Sequence, residues 1–433
     1  MSWLRDRAEP SGKTGIVTVL DVGSSKVCCV IARLKPSADS RLLRTRTHHA
    51  QVIGIGHHKS QGVKSGVIVD LDRAELAIRQ AVDAAERMAG VTVDSLFVNL
   101  TASRIKSQTF NATVNLGGHE VDEGDIKRVL SAGARQALKA EREVMHSLPY
   151  AFSLDAERGI RNPRGMVGDV LGVDMHVLTG DAMPMRNLEL AVNRSHLSVE
   201  RMVATPYASG LAALVDDELE MGAVCIDMGG GSTTISVFAD GKFVYADSIP
   251  LGGNHVTLDL ARGLSTGIHD AERLKVMHGS VLAAAADDND VVSVQPIGED
   301  GVPHHLPRAA MTRIIRARID ETLELLRDRL VKSGHANHAG KRVVLTGGAS
   351  QLAGMPEVAR RILGRQVRTG RPLGVAGLPE AAKGPAFSTS VGLLIYPQMA
   401  GLESQQSGGS IASRMTGTGG RFHRMSQWFR DSF

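Results

Sequence analysis

Cysteine is nearly absent, with three in 433 residues (Cys28, Cys29 and Cys225), each inside an apolar run of strand character. Two of them are adjacent and so point to opposite faces of a strand. That excludes a disulfide framework and reads as small core residues in a reducing compartment. Aromatic residues are also scarce, at 3%, so the cores must be filled by Val, Ile, Leu, Ala and Met. No run approaches the roughly 20 apolar residues of a membrane-spanning helix. The stretch from Met1 to Gly15 holds no apolar core of a secretory leader, and the expectation is a cytoplasmic protein. Net charge is only +4, too weak a bias to imply nucleic acid. The 16 histidines include the pairs His57-His58 and His304-His305, with no carboxylate or cysteine at ligand spacing. No zinc site is expected.

What the chain does have is length for two or more domains, and glycine-rich turns that follow apolar runs. The first turn ends a run from Gly15 to Leu20 and reads Asp21-Val22-Gly23-Ser24-Ser25-Lys26. The second ends a run from Ala223 to Ile226 and reads Asp227-Met228-Gly229-Gly230-Gly231-Ser232-Thr233-Thr234. In both, a strand delivers an Asp, then Gly, then small hydroxyl residues, then a second strand. Glycine lets backbone N–H groups approach a phosphate, hydroxyls donate to it, and Lys26 adds charge. Asp21 and Asp227 cannot touch phosphate but can order Mg²⁺ through water. One such hairpin is also an ordinary turn. Two in matching order point to related half-domains closing on one nucleotide. A third strand feeds Thr346-Gly347-Gly348-Ala349-Ser350, suited to the wall of a purine or ribose pocket. Gly12-Lys13-Thr14 looks like the end of a Walker A loop, but position 7 is Arg and the strand follows rather than precedes it.

Between these motifs the pattern predicts three strands over 15–56, a helix over 72–90 and a strand over 91–100. Residues 101–179 differ in texture. An alternating stretch (Phe110, Ala112, Val114, Leu116), a helix over 123–140 and a Pro/Gly/Arg-rich loop at 158–168 read as an inserted subdomain. The small-residue helix Ala204 to Leu214 suits a hinge packed closely on another helix. Helices are expected over 254–278 and 308–332, around an irregular piece at 281–305. Glu272 and Lys275 share a helix face, which alone is a surface ion pair worth under about 1 kcal/mol. Residues 401–420 are rich in Gly, Ser, Thr and Gln and read as a flexible linker. Beyond it, Phe422, Met425, Phe429 and Phe433 fall on one helical face with Trp428 at its flank and Arg421, Arg424 and Arg430 around it. That pattern describes a helix lying in an anionic lipid interface. Ordering so short a peptide consumes much of the gain, so one tail binds weakly and several on an oligomer bind well.

The three nucleotide motifs in this order, with the hinge helix, resemble the actin/Hsp70/sugar-kinase superfamily. The tail narrows the resemblance. So do Ser60 to Asp70 (SQGVKSGVIVD), Asn162 to Met166 (NPRGM) and Pro250 to Thr257 (PLGGNHVT). These are similar to the bacterial cell-division FtsA family, from about residue 14 to about 400 and again over the terminal helix.

The resemblance implies an α/β, actin-like ATPase fold of ribonuclease H-like duplicated halves, with an inserted 1C subdomain, a linker and a C-terminal amphipathic helix. Expected divisions are an extension at 1–14, subdomain 1A at 15–100 and 180–217, and 1C at 101–179. Subdomain 2A is expected at 218–255 and 340–400, 2B at 256–339, the linker at 401–420 and the membrane-targeting helix at 421–433. ATP and Mg²⁺ are expected between the halves, on Asp21, Gly23, Ser24, Ser25, Lys26, Asp227, Gly229, Gly230, Gly231, Ser232 and Thr233. Gly347, Gly348 and Ala349 are expected to approach the adenosine, and Glu272 with Lys275 the ribose and base, against their bland reading alone. The implied partners are the acidic tail of FtsZ at Arg308, Arg318 and Glu321, further copies of the chain through 1C and 2B, later divisome proteins, and an anionic membrane surface. The implied location is the cytoplasmic face of the inner membrane at the division site. The implied role is to tether FtsZ filaments there and to help assemble the division machinery. No acidic residue precedes Pro206, where hydrolytic superfamily members often carry one. No catalytic residue is assigned, hydrolysis is expected to be weak at most, and nucleotide is expected to act mainly as a conformational ligand. A sugar-kinase-type enzyme and a pilus-assembly adaptor of the same superfamily are the alternatives.

Overall fold

The computed structural model describes residues 15–36, 46, 48–101, 105–137, 141–283, 289–297 and 302–399. The 1–14 extension, the 401–420 linker and the terminal helix with Phe422, Met425, Trp428, Phe429 and Phe433 lie outside the described residues. Among the described residues no helix is long and apolar enough to cross a membrane.

Two sheets repeat one plan. In the first, strands Gly15–Val22, Lys26–Pro36 and His48–Lys59 form an antiparallel meander, and Ser95–Leu100 then Ser198–Ala204 add in parallel on its other side. In the second, Ala223–Met228, Thr233–Ala239 and Lys242–Ile249 form the meander, and Arg342–Thr346 then Gln366–Thr369 add in parallel. The leading strands are buried on both faces, which explains their continuous apolar runs. Their turns therefore occupy corresponding corners of the two halves, as a duplicated actin-like fold requires.

The helix Leu71–Ala89 shows how local chemistry sets these elements. Asp70 caps it by accepting from the Arg73 N–H, and Gly90 ends it at φ 67°. Its buried stripe of Ala74, Ala77, Ile78, Ala81, Val82 and Ala85 lies on the strand His48–Lys59. Gly54 and Gly56 of that strand admit the helix backbone, because a Cβ on either would overlap the Ala85 or Ala81 carbonyl.

A third layer interrupts the first half. Strands Lys106–Asn115, Arg142–Leu154, Glu157–Ile160 and Val170–Asp181 form their own sheet, with the helix Glu123–Gln136 on it and a separate apolar core. It docks on strand Lys242–Ile249 of the second half through His176. The His176 imidazole donates from Nδ1 to the Phe243 carbonyl at 2.9 Å. Its Nε2 meets the Ser107 hydroxyl at 2.6 Å, and Ser107 accepts from the Ala246 N–H at 3.3 Å.

The chain passes between the halves twice. Helix Thr205–Ala213 leads from the first sheet toward the second, and helix Ser388–Ile395 lies where the chain has returned. Both are wholly buried. They touch at Gly392, whose absent Cβ would overlap the Ala208 carbonyl. The small residues of the hinge segment thus serve close helix contact.

The sequence pattern misplaces four details. Residues 254–278 form two helices, Gly253–Gly263 and Ile268–His278, because Ser265 turns at φ 51° and Thr266 is held by the Gln295 carbonyl. The helix expected over 123–140 ends at Gln136. The loop at 158–168 opens within strand Glu157–Ile160, which pairs with Arg142–Leu154. The irregular piece at 281–305 holds a strand pair, Val291–Val294 with His304–Pro307.

Candidate functional site

Each hairpin tip is a four-residue turn closed by the same bond. The Gly23 N–H donates to the Lys26 carbonyl at 3.0 Å, and the Gly229 N–H to the Ser232 carbonyl at 3.0 Å. A Cβ on either glycine would stand 3.0 Å from that carbonyl. The tips also meet each other, since a Cβ on Gly230 would overlap the Ser25 hydroxyl and one on Gly231 the Ser24 hydroxyl. Together they line one cleft, whose wall also includes Asp21, Lys26, Asp227, Ser232, Gly347 and Gly348.

Asp21 and Asp227 are the penultimate residues of corresponding strands. Both are buried, at 6% and 7% exposure. Burial raises the Asp21 carboxyl above its usual range, against the opposing charge of Lys26. Burial likewise raises Asp227, to about 6. The Lys26 ammonium donates to the Ala386 carbonyl and lies 3.5 Å from the centre of the Phe387 ring. Gly347, at φ 85°, leaves room for Asp227, because a Cβ there would overlap the carboxylate Oδ1.

The tip hydroxyls divide by strand alternation. Thr233 turns away and donates to the Leu251 carbonyl at 2.7 Å. Thr234 pairs across the hairpin with Asp227 and lines the cleft. Its hydroxyl is buried without a hydrogen-bond partner, a state costing about 1–3 kcal/mol unless something polar enters. An orphaned hydroxyl, two carboxylates and a glycine cradle that no side chain fits make a donor set suited to a phosphate group with a hydrated cation.

Lys275 and Ala349 lie against Gly253, next to the second tip, and Glu272 is joined to Lys275. Lys275 donates to the Gly253 carbonyl at 3.1 Å, Thr257 at 2.8 Å and Glu272 at 2.7 Å. A Cβ on Gly253 would lie 3.2 Å from the Ala349 methyl, and the Gly253 N–H donates to the Gly229 carbonyl at 3.0 Å. Arg308, Arg318 and Glu321 belong to the helix Arg308–Lys332 instead. Arg308 donates to the His278 carbonyl at 3.0 Å. Arg318 reaches Asp259 at 2.6 Å and is also paired with Glu321.

Several cleft residues escape motif reading. Asn99, Thr101, Thr205, Thr234, Pro385, Ala386 and Thr389 all line it. Asn99 accepts from the Val22 N–H at 2.6 Å and donates to Thr205 at 3.1 Å. Thr205 stands just before Pro206, so a hydroxyl occupies the approach to the hinge helix. The alternation from Asp227 was a signal for Thr234. The others come from strand ends and loops with no local pattern.

Residues 102–179 match the family described as "SHS2 domain inserted in FTSA", and residues 224–392 match "Cell division protein FtsA". The chain is 63% identical over 426 residues to "Cell division protein FtsA" of Rhizobium meliloti, covering 98% of this chain and 96% of that one. Among solved structures, the fold is similar to the "PilM-PilN type IV pilus biogenesis complex", with TM-score 0.61 at 15% identity over 89% of this chain and 98% of that one. It is also similar to MreB5 of Spiroplasma citri bound to ADP, with TM-score 0.51 at 13% identity over 89% of this chain and 97% of that one. At such identities these structures speak for the fold alone. With relatedness running over nearly its whole length, the chain belongs to the FtsA family of cell-division proteins and has an actin-like fold.

Proposed function

We propose that this cell-division protein binds ATP with Mg²⁺ between its halves and tethers FtsZ filaments to the cytoplasmic face of the inner membrane. The observation that carries the nucleotide part is the contact of two equivalent glycine tips over one cleft floored by two buried carboxylates. Gly23 to Lys26 and Gly229 to Ser232 would surround the phosphates, and Asp21 and Asp227 would hold Mg²⁺ through water. Lys26 is kept nearby by the Ala386 carbonyl. Gly347 and Gly348 would face the adenosine, with Ala349, Lys275 and Glu272 next to the second tip. The ADP-bound state of the MreB5 structure supports the choice of ligand. When bound, the nucleotide supplies charge that draws the two halves together. This chain's own groups orient it.

In the same reading the chain divides as 1A at 15–100 and 180–217, 1C at 101–179, 2A at 218–255 and 340–400, and 2B at 256–339. Arg308, Arg318 and Glu321 would face the acidic FtsZ tail. Copies would associate through 1C and 2B, later divisome proteins would follow, and residues 421–433 would bind anionic lipid. Co-sedimentation tests the whole. The full chain should pellet with anionic liposomes and carry an FtsZ tail peptide with it. A chain lacking 421–433 should keep nucleotide affinity and stay in the supernatant. Equal pelleting of both chains would overturn the tether, and no binding of a fluorescent ATP analogue would overturn the nucleotide site.

A further inference from the structure

The helix Ser388–Ile395 carries adjacent hydroxyls that serve opposite halves of the molecule. Thr389 donates to Asp227 Oδ2 at 2.9 Å, and Ser390 donates to Asp21 Oδ2 at 2.9 Å. Consecutive helical residues point about 100° apart. One turn of helix placed between the two strand ends can therefore reach both carboxylates. All four side chains are nearly inaccessible. Each aspartate has one oxygen fixed by the helix, while its carboxyl also lines the cleft. For Asp227 the other oxygen packs against the Gly347 backbone. The helix is itself fixed. Ser388 and Thr346 share a hydrogen bond at 2.6 Å, and Gly392 lies against Ala208 of the other hinge helix.

We infer that Thr389 and Ser390 are positioning residues that aim the two carboxylates at the cation accompanying the nucleotide. Through them, one hinge helix registers cation binding by both halves at once. This rests on the nucleotide reading above. Both hydroxyls act through the aspartates; Thr389 also stands on the cleft wall, whereas Ser390 does not line it. An aliphatic residue at either position leaves its carboxylate free to swing out of line. The cation then loses an ordered water contact, whereas nucleotide held by the glycine tips alone is little affected.

The experiment is titration of the full chain with a fluorescent ADP, once with Mg²⁺ and once with EDTA. The unsubstituted protein should bind in both and more tightly with Mg²⁺. Thr389→Val and Ser390→Ala should each cut the Mg²⁺-dependent gain about tenfold, the weight of one hydrogen bond to a charged group. In EDTA their affinity should stay within about twofold of the unsubstituted value, and Thr389→Ser should restore the gain. Loss of affinity to the same extent with and without Mg²⁺ would mean a merely structural role and overturn the inference. An undiminished Mg²⁺ gain in both variants would overturn it too. Absence of binding by the unsubstituted protein would overturn the nucleotide reading, and this inference with it.

Discussion

At the scale of single residues the cleft trades stability for a charged site. Among the described residues no cation forms an ion pair with Asp227, and burial raises its carboxyl from 3.8 to about 6. The folded protein thus takes up this proton more readily than the unfolded chain. The group's contribution to folding is most favourable at low pH and is lost as pH rises through about 6. Asp227→Asn keeps the shape, still accepts from Thr389, and removes the buried charge. At pH 7.5 the ligand-free variant should be more stable by on the order of 1–3 kcal/mol, seen in its melting curve, while Mg²⁺-dependent nucleotide affinity falls. A variant that melts lower than the parent would count against the buried charge as the source. The sequence made both aspartates and both glycine tips legible, because local spacing carries them. It singled out Thr233, whereas Thr234 is the one of the pair that lines the cleft, since only the hairpin register decides which side of the strand each takes. Thr389 and Ser390 were illegible. Their partners lie 162 and 369 positions away in sequence, and nothing in a Ser-Thr-Ser run announces them.

Among elements, the contact between the inserted layer and the second half depends on a neutral histidine. Burial lowers His176 to about 4, with the Phe243 hydrogen bond opposing and the charges of His335 and His146 adding to the depression. The folded value lies below the unfolded 6.5. The stability from neutral His176 is therefore complete above that value and is lost as pH falls toward 4. His176→Gln retains a polar side chain and cannot titrate. It should lower stability at pH 7.5 by about 1–2 kcal/mol, yet lose less than the parent between pH 6.5 and 4.5 in urea titrations. Equal acid sensitivity would place the effect elsewhere. The helix Arg308–Lys332 was readable to its ends, but the sequence did not show that Arg318 is already engaged by Asp259 and Glu321. An acidic peptide must compete with these carboxylates. Asp259→Asn should therefore tighten binding of an FtsZ tail peptide by about threefold, and Arg318→Ala should weaken it, as calorimetry would report. Unchanged affinity in both would move the peptide off this helix.

Across the whole molecule, two copies of one sheet plan are joined by two buried helices that cross at Gly392. The duplication was visible in the repeated tips. The crossing was visible only as small residues around Ala208, because closeness between helices leaves no periodic trace. The tolerance of that crossing is narrow. A Cβ at Gly392 would overlap the Ala208 carbonyl, a backbone atom that no rotamer change can move aside. Gly392→Val should push the helices apart and cost at least about 3 kcal/mol of stability. It should also displace Thr389 and Ser390 from both aspartates, so that added nucleotide with Mg²⁺ no longer raises the melting temperature. Gly159 provides the comparison. It adopts φ 76° but has nothing within 4 Å of a built Cβ, so Gly159→Ala should cost about 1 kcal/mol from backbone strain alone and keep the full nucleotide-induced rise. If Gly392→Val also keeps that rise, the halves do not communicate through this crossing.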